Sequence, residues 1–399
     1  MLLANISQVD AAFLQKLCDD HCPESGTLDF KRGLPVSTDP GKQEFVKDVC
    51  AFANADGGYL VYGIAEVAGS ADELSPITGE LHDSAKRRLS QVLNGGPEPR
   101  VQGIQFHHVD VTGGYVLIVR IPSSFDGPHC FRVNNNSRRF VMRNGTSTSD
   151  LTYGQLRSAF DRTATLADKA RRFIDMRLQM VIERKTPKQL VEGPILAAHF
   201  VPIAGLAGKH SVDLQPLYAG GFTRFMGNDW GGGSRTFNLD GLIVHPGGSA
   251  RNGLPAYTHI FRTGAMEAVR IGGTTREGQD GVRSVIWSTS MTRFFRGVVS
   301  QFTDAAKEWG FAGPAVLSFA ILHTTGYELG IGDIFRPFSE SSSDRPHMIL
   351  PEVWIDSLDN VEIDGVVRPM MDMLFQAFDV ERCLDFDAST GAYAPRRLG

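Results

Sequence analysis

The chain has 399 residues, of which 42% are hydrophobic and 21% charged, an ordinary composition for a globular protein of two domains. Its formal net charge of −5 excludes a histone-like protein held to DNA by bulk positive charge, although a local basic patch is compatible with it. No segment reaches the ~18 uninterrupted apolar residues of a membrane span, and the N-terminus does not resemble a signal peptide, so we expect a cytoplasmic protein that does not engage a membrane.

Hydrophobic spacing and turn residues predict a regular series of elements in the first part of the chain. The predicted helices cover residues 7–20, with Ser7 as N-cap, 42–55 and 80–94, and the predicted strands cover 27–31, 59–65, 101–110, 115–121, 131–133 and 139–143. Because helices and strands alternate before a run of strands, the order indicates an α+β or mixed α/β domain.

The second part of the chain has a different organisation. Residues 152–185 are predicted to be mostly helical, and Pro187 ends that pattern. We therefore expect a first domain over residues 1–160, a helical connector over 161–187 and a second α/β domain over 188–399. The second domain is predicted to have strands over 195–203 and 239–245 and helices over 292–309 and 368–379.

Three carboxylates and a lysine suggest a site in the first domain. Asp29 and Lys31 lie two residues apart on a predicted strand and so share a face, Glu24 precedes them across a turn, and Glu66 follows the apolar strand YLVYGIA. If the two strands are neighbours, the acids converge, and carboxylate oxygens suit Mg²⁺ or Mn²⁺. On spacing alone, an alternative stays open in which Glu24 and Glu66 are solvated and Asp29 and Lys31 form a surface ion pair.

Three segments of the sequence resemble the AlbA_2 domain of the Schlafen superfamily: PESGTLDFKRG, FVKDVCAFANADGGYLVYGIAE and FVMRNGTST. The family pattern has E-S-x-x-x-E-F-K, then A-F-A-N-x-x-G-G-x-L-x-x-G-V-x-D, then y-x-x-R-x-G-s-s, and the resemblance covers roughly residues 8–160. Some Schlafen-domain proteins are metal-dependent endoribonucleases that cut structured RNA such as tRNA.

The resemblance implies a role for each acid. It implies that Glu24, Asp29 and Glu66 are catalytic and bind Mg²⁺ or Mn²⁺, with Lys31 assisting. Asp29 stands where the family most often has Glu, and Glu66 where it has Asp; each exchange keeps the charge and shifts the carboxylate by about one methylene. Asn54, in the same pattern, is expected to cap or bridge backbone groups.

Basic residues of the first domain are candidates for contacts with nucleic-acid phosphates, although a basic run is usually a solvated helix face. Arg143 matches the arginine of the family's closing segment. The candidates are Arg32, Lys86, Arg87, Arg88, Arg138, Arg139 and Arg143. His107 and His108 are adjacent on a strand and point to opposite faces, which favours structural roles over metal binding.

The leading hypothesis is a metal-dependent endoribonuclease that acts on structured RNA, RNA being favoured over DNA, in a stress response or antiphage defence. One alternative is a non-catalytic nucleic-acid-binding regulator. Another is an assembly subunit that uses the AlbA_2 fold for protein interaction, as a homo-oligomer or within a larger defence assembly. In the second domain, Asp240, Glu267 and Glu352 are expected to be structural acids.

Overall fold

The computed structural model describes residue 6 and residues 9–134, 136–208, 211–220, 233–246, 253–278, 281–331 and 338–395. The chain forms two compact units, Met1–Thr165 and Leu166–Gly399, and the division falls within a long helix. Both units combine helices with β-sheets, so the predicted α+β class is confirmed. Within the described residues, no helix is both long and apolar enough to cross a membrane.

The first unit begins with a helix and ends in the helix that crosses the division. Its elements are α1 (Ala11–Asp19), β1 (Leu28–Lys31), α2 (Asp39–Ala53), β2 (Gly57–Tyr62), β3 (Ile64–Val67), β4 (Ser70–Leu74), α3 (His82–Gly95), β5 (Pro97–Glu98), β6 (Gln105–Val111), β7 (Gly114–Pro122), β8 (Cys130–Asn134), β9 (Ser137–Asn144), β10 (Ser147–Asp150) and α4 (Tyr153–Ile182).

Two sheets enclose α2 in this unit. One sheet has the strand order β1-β2-β7-β6, with β1 parallel to β2, and the other has the order β10-β9-β8-β5. Phe45 and Phe52 pack among the apolar side chains of β2 and β7, whereas Cys50 packs against Phe131 and Val141 of the second sheet. α2 is thus buried on two opposite faces, one against each sheet. Apolar residues therefore lie on nearly every side of the helix at its C-terminal end.

Two helices begin at residues other than the predicted ones, because of the residues that cap them. α1 begins later than residue 7 because Asp10 is its N-cap, with the Asp10 carboxylate accepting the Phe13 N–H at 2.8 Å. Ser7, the predicted cap, lies outside the described residues. α2 begins at Asp39, before the predicted residue 42, because Thr38 caps it and Pro40 occupies its first turn, where a missing N–H is harmless.

The segment YLVYGIA was predicted as one strand, and this prediction is wrong. Gly63 has φ +105° and separates β2 from β3, which pairs with β4 in a different sheet. The Gly63 N–H donates to the Lys31 carbonyl at 2.8 Å, which holds the bend beside the end of β1. A residue with a side chain would be strained at this φ, so the break depends on glycine.

The second unit contains a large antiparallel sheet and the long helices α7 and α8. Its elements are β11 (Ile195–Pro202), α5 (Ile203–Leu206), α6 (Gln215–Ala219), β12 (Gly233–Phe237), β13 (Gly241–Pro246), β14 (Ala256–Phe261), β15 (Met266–Ile271), β16 (Gly273–Gly278), β17 (Gly281–Trp287), α7 (Ser288–Glu308), β18 (Ala315–Leu322), β19 (Glu328–Gly330), β20 (Phe338–Ser342), β21 (His347–Ile349), β22 (Val353–Ile355) and α8 (Ile363–Gln376).

The core of the second unit lies between the large sheet and the pair α7 and α8. The described strands follow the order β12-β13-β14-β15-β11-β18-β21, and every residue of β11 and β18 is buried. Phe294, Phe295 and Phe302 of α7 pack with Phe319 of β18 in this core. The predicted strands over 195–203 and 239–245 and the helix over 292–309 are confirmed, while α8 begins five residues before the predicted 368.

Candidate functional site

The fold brings the segments that carry the three acids together. Because β1 and β2 are parallel neighbours, Lys31 lies opposite Tyr62, immediately before the bend that leads into β3 and Glu66. The loop before β1 is tied to the same place, since the Glu24 N–H donates to the Gly69 carbonyl at 2.8 Å. The β3–β4 turn therefore sets Glu66 and Glu24 beside the strand that carries Asp29.

Asp29 is a buried carboxylate held between two cations. Its side chain is 4% exposed, with Oδ1 3.1 Å from an Arg143 guanidinium nitrogen and Oδ2 2.7 Å from Lys31 Nζ. Burial alone would lower the pKa of Lys31, but the Asp29 carboxylate outweighs it and the pKa is raised. Lys31 and Arg143 thus stabilise the negative charge of Asp29, which burial would otherwise disfavour.

Glu24 and Glu66 lie nearer to solvent. Glu24 Oε1 accepts the Phe30 N–H at 2.9 Å, and the exposed Glu66 accepts the Gly69 N–H at 2.8 Å. Burial raises the pKa of Glu24, and the carboxylates of Asp29 and Glu66 raise it further. Glu24 is therefore close enough to Asp29 and Glu66 for their charges to affect its pKa.

Asp48 of α2 belongs to the same cluster, although it was not among the predicted site residues. It is 7% exposed, and burial raises its pKa to about 6, with Lys31 opposing and Asp29 adding to the shift. A signal was present in the sequence, because Asp48 lies three residues after Phe45 and four before Phe52 and so falls on the buried stripe of α2. An acid at such a position is buried in a folded helix.

The predicted cofactor can be tested against these contacts. Carboxylate oxygens are the ligands that Mg²⁺ and Mn²⁺ prefer. Here, however, both oxygens of Asp29 face protein cations, and one oxygen of Glu24 and one of Glu66 accept backbone N–H groups. In the described part of the chain, no three His, Cys, Asp or Glu side chains form a group that could hold a metal ion. In this arrangement the three acids do not fit a metal centre.

The predicted phosphate contacts divide into buried and exposed groups. Arg143 is 7% exposed: it pairs with Asp29, donates to the Ser25 carbonyl and lies 4.6 Å from the Phe52 ring centroid. Arg88 is engaged by Glu80 through two nitrogens and by the Pro35 carbonyl. Neither guanidinium is available to a phosphate in this structure, because each already satisfies groups of its own domain.

The other predicted contacts are at the surface. Arg32, Arg138 and Arg139 form exposed ion pairs with Glu73, Glu98 and Asp150, respectively. Lys86 and Arg87 are exposed on α3, and neither has a carboxylate partner among the described residues. Arg132 was not predicted, although it lies on β8 directly opposite Arg138 of β9 and is likewise exposed.

Two other expectations concern polar residues of the first unit. Asn54 bridges backbone groups as predicted: its amide donates to the carbonyls of His129 and Val141 and its oxygen accepts the His129 N–H, at 2.7, 2.8 and 2.7 Å. His107 contacts the Val9 carbonyl and His108 stacks on His82 with ring centroids 3.7 Å apart. Both histidines therefore contact groups of their own unit.

The second unit contains a separate buried polar cluster. Glu267 is fully buried and accepts hydrogen bonds from Arg177 through two nitrogens and from Tyr257, and His199 Nε2 lies 3.0 Å from its carboxylate. Burial would raise the pKa of Glu267, but His199 and Arg177 lower it below its ordinary range. Glu267 is thus the structural acid that was predicted, and Glu352 pairs with Arg171 at 3.0 Å.

Comparison with known protein families finds one match, which lies within the first unit. Residues 24–152 match the family model of the Schlafen AlbA_2 domain. No curated protein matches the chain. The match indicates a function related to nucleic acid.

Two solved structures are similar to part of the chain. The solution NMR structure of the N-terminal domain of a RecG-related protein from Nitrosomonas europaea is 21% identical, with a TM-score of 0.23, over 31% of this chain and 75% of that chain. The crystal structure of the DIP2311 protein from Corynebacterium diphtheriae is 16% identical, with a TM-score of 0.24, over 35% of this chain and 26% of that chain.

Proposed function

Since residues 24–152 form a Schlafen AlbA_2 domain, we propose that the first unit of this chain binds nucleic acid, and RNA in preference to DNA. The observation that carries the proposal is the arginine hairpin, by which we mean the exposed Arg132, Arg138 and Arg139 of β8 and β9. Arg132 and Arg138 are cross-strand neighbours that share one face of the hairpin, and Arg139, next to Arg138, projects from the other face. Each guanidinium can donate paired hydrogen bonds to phosphate oxygens.

The ion pairs of the arginine hairpin do not prevent such binding. The Arg138 and Glu98 side chains are 46% and 63% exposed, and those of Arg139 and Asp150 are 47% and 60% exposed. Exposed pairs of this kind contribute only about 0–1 kcal/mol, so exchanging a carboxylate for a phosphate costs little. Arg132 has no carboxylate partner among the described residues, so it can contact a phosphate without breaking any pair.

The proposal is tested by a salt titration of binding. We expect the full chain to bind a labelled single-stranded RNA, with an affinity that falls as salt rises because phosphate contacts release counterions. The triple variant Arg132→Ala, Arg138→Ala, Arg139→Ala should bind at least 10-fold more weakly, and the slope of log K against log [salt] should be smaller in magnitude by roughly 2, at about 0.7 per lost contact. Fluorescence anisotropy at several salt concentrations measures both quantities.

A control variant makes the result specific. Arg157→Ala, Arg162→Ala removes two exposed cations from α4 in the same unit, and we expect it to bind RNA almost as tightly as the wild type. Equal losses in the two variants would show only a general charge effect and would contradict the role of the arginine hairpin. No binding by the wild type, together with a stable oligomer in sedimentation, would favour the protein-interaction alternative.

A second candidate function is metal-dependent cleavage of structured RNA such as tRNA, with a role in stress or antiphage defence. The specific observation in its favour is the raised pKa of Glu24, which burial raises most and the carboxylates of Asp29 and Glu66 raise further, close to Lys31. A carboxyl group with a raised pKa beside a cation is suited to proton transfer. Cleavage with Mg²⁺ or Mn²⁺ would require Asp29 to be less tightly paired than in this structure.

The cleavage proposal is tested with total tRNA and Mn²⁺. On this candidate the wild type cuts tRNA and Glu66→Gln loses at least 100-fold of the rate, because the exchange removes the charge of one carboxylate. The Glu66 side chain is exposed, so its replacement should not disturb folding. Glu73→Gln, on the adjacent β4, is the matched control and should cut normally. Intact tRNA with the wild type, or equal cutting by the wild type and Glu66→Gln, would reject this candidate while leaving nucleic-acid binding in place.

A further inference from the structure

A cleft of about 330 Å³ opens between α2, the end of α3 and β8, and no residue of the acid cluster, by which we mean Glu24, Asp29, Asp48 and Glu66, lines it. Val46, Val92 and Phe131 form its apolar lining; Val46 and Phe131 are buried in the core behind it, and the half-buried Val92 is the most accessible of the three. The volume is at the lower end of the range of small-molecule sites, ~300–1,000 Å³. The cleft is therefore large enough for a single planar group and too small for a folded segment of protein.

The polar side chains of the cleft are cationic. Lys42 and Arg132 line it together with Gln43, and no carboxylate is among the lining residues. Lys42 and Val46 are four residues apart on α2, so the amine extends from the same helix face as the apolar surface. Lys42 is 3.4 Å from Asp39, whose side chain is 98% exposed, which makes this pair easy to exchange.

The cleft is built into the fold. The Gln43 amide donates to the carbonyls of Arg132 and Val133, each at 3.0 Å. These hydrogen bonds fix β8 against α2 at Arg132. At Gly96 an added Cβ would lie 2.5 Å from Val46 Cγ2 and 2.9 Å from the Val92 carbonyl. The Gly96 backbone therefore packs directly against these two residues and forms part of the cleft wall. At Gly95, in contrast, an added Cβ meets no atom within 4 Å.

We propose that this cleft binds one unstacked nucleotide of a single-stranded nucleic acid, with the base on the surface of Val46 and Val92 and the flanking phosphate at Lys42 and Arg132. The inference rests on the proposed nucleic-acid binding and adds a subsite to it. The combination decides the ligand class, because an apolar surface suits the face of a base while two cations without a carboxylate suit a phosphate. Arg132 belongs both to the cleft and to the arginine hairpin, so one strand can follow the hairpin and enter the cleft.

The experiment compares three 12-nucleotide RNAs by fluorescence anisotropy with the full chain: a single strand, the same strand with central abasic sites, and a duplex. We expect the single strand to bind about 10-fold more tightly than the abasic strand, because only the single strand has a base whose apolar face leaves water on binding. Both strands carry the same phosphates, so the difference isolates the base. The duplex should resemble the abasic strand, since its bases are stacked and paired.

A variant of the cleft tests its location. Gly95→Glu places a carboxylate where there is open space, and it should lower affinity for the single strand about 10-fold while leaving the abasic strand much less affected. Gly154→Glu is the matched control, because Gly154 is also a helical, exposed glycine with no atom within 4 Å of an added Cβ, and it should bind as the wild type does.

The outcomes separate this inference from the proposal beneath it. Absence of binding to every RNA by the wild type would overturn the proposed function and this inference together. Tight binding by the wild type, with equal affinities for the single and abasic strands or equal effects of Gly95→Glu and Gly154→Glu, would overturn only the nucleotide subsite. Competition by inorganic phosphate as effective as competition by a nucleoside monophosphate would show recognition of phosphate alone and would also overturn it.

Discussion

The side chains of the acid cluster show how one buried site balances charge. Asp29, Asp48 and Glu24 bring negative charge into a small volume, and Lys31 and Arg143 are the cations that offset it. Asp29 contacts both cations directly. Lys31 lowers the pKa of Asp48 from a longer distance, but burial has the larger effect. The pKa of Asp48 is therefore raised to about 6.

Asp48 makes the stability of the first unit depend on pH. The folded state holds the Asp48 proton more tightly than the unfolded chain, so the contribution of this residue to stability falls as pH rises from about 4 to about 6. Asp48→Asn removes this loss and should stabilise the protein at pH 7 by up to about 3 kcal/mol, with no gain near pH 4. Urea unfolding followed by circular dichroism at several pH values measures the difference.

The exposed Asp161→Asn in α4 of the same unit is the control for this pH dependence, and it should leave the pH profile unchanged. A constant difference between Asp48→Asn and the wild type across pH 4–7 would contradict a raised pKa at Asp48.

At the level of elements, one side chain joins α2 to the second sheet. Asn54 follows the last residue of α2 and satisfies two carbonyls and one N–H of the segments that lead into β8 and β9. The arginine hairpin and the cleft both depend on the position of these strands. Asn54 therefore supports the binding surface without contacting a ligand.

Loss of the Asn54 bridge should be costly because the backbone groups it serves are buried. We expect Asn54→Ala to lower the free energy of unfolding by about 3 kcal/mol, at roughly 1 kcal/mol or more per lost hydrogen bond. Asn94→Ala, on the exposed surface of α3, should change it by less than about 0.5 kcal/mol. Chemical denaturation of both variants provides the comparison, and equal stabilities would contradict the bridging role.

At the level of the whole molecule, each unit has its own core and its own buried ionic cluster. The first unit buries Asp29 with Arg143, and the second buries Glu267 with Arg177. All four tryptophans of the chain lie beyond residue 166, so tryptophan fluorescence reports on the second unit. The two cores can therefore be followed separately in the intact chain.

Removal of one partner from the second cluster should affect the second unit. Arg177→Ala leaves Glu267 charged and buried, and we expect it to destabilise the fluorescence-detected transition by about 3–5 kcal/mol. Arg171→Ala, on the same helix, loses only a partly exposed pair with Glu352 and should cost at most about 1 kcal/mol. If the proposed binding belongs to the first unit, both variants should bind RNA with unchanged affinity under conditions in which they remain folded. A loss of affinity confined to Arg177→Ala would assign part of the binding to the second unit.

Much of the fold followed from local patterns. The apolar run of β11 and the helical patterns of α2 and α7 predicted buried elements correctly, because periodicity reports directly on which faces are buried, whereas β18 was not predicted. Helix starts were less predictable, since Asp10 and Thr38 compete with nearby residues as caps. The break at Gly63 was missed because an apolar run does not reveal a positive φ.

By itself, the sequence determined the class of fold and the Schlafen AlbA_2 resemblance, and it named Glu24, Asp29, Glu66 and Lys31 as candidates for a site. Only the tertiary structure decided how those charges are used. It paired Asp29 with Lys31 and Arg143 and placed Asp48 in the same cluster. It also engaged Arg88 with Glu80 and placed Arg132 beside the cleft. The physical reason is that residue type and spacing specify which groups are charged, whereas burial and partners, which set their pKa and availability, depend on contacts between segments far apart in the chain.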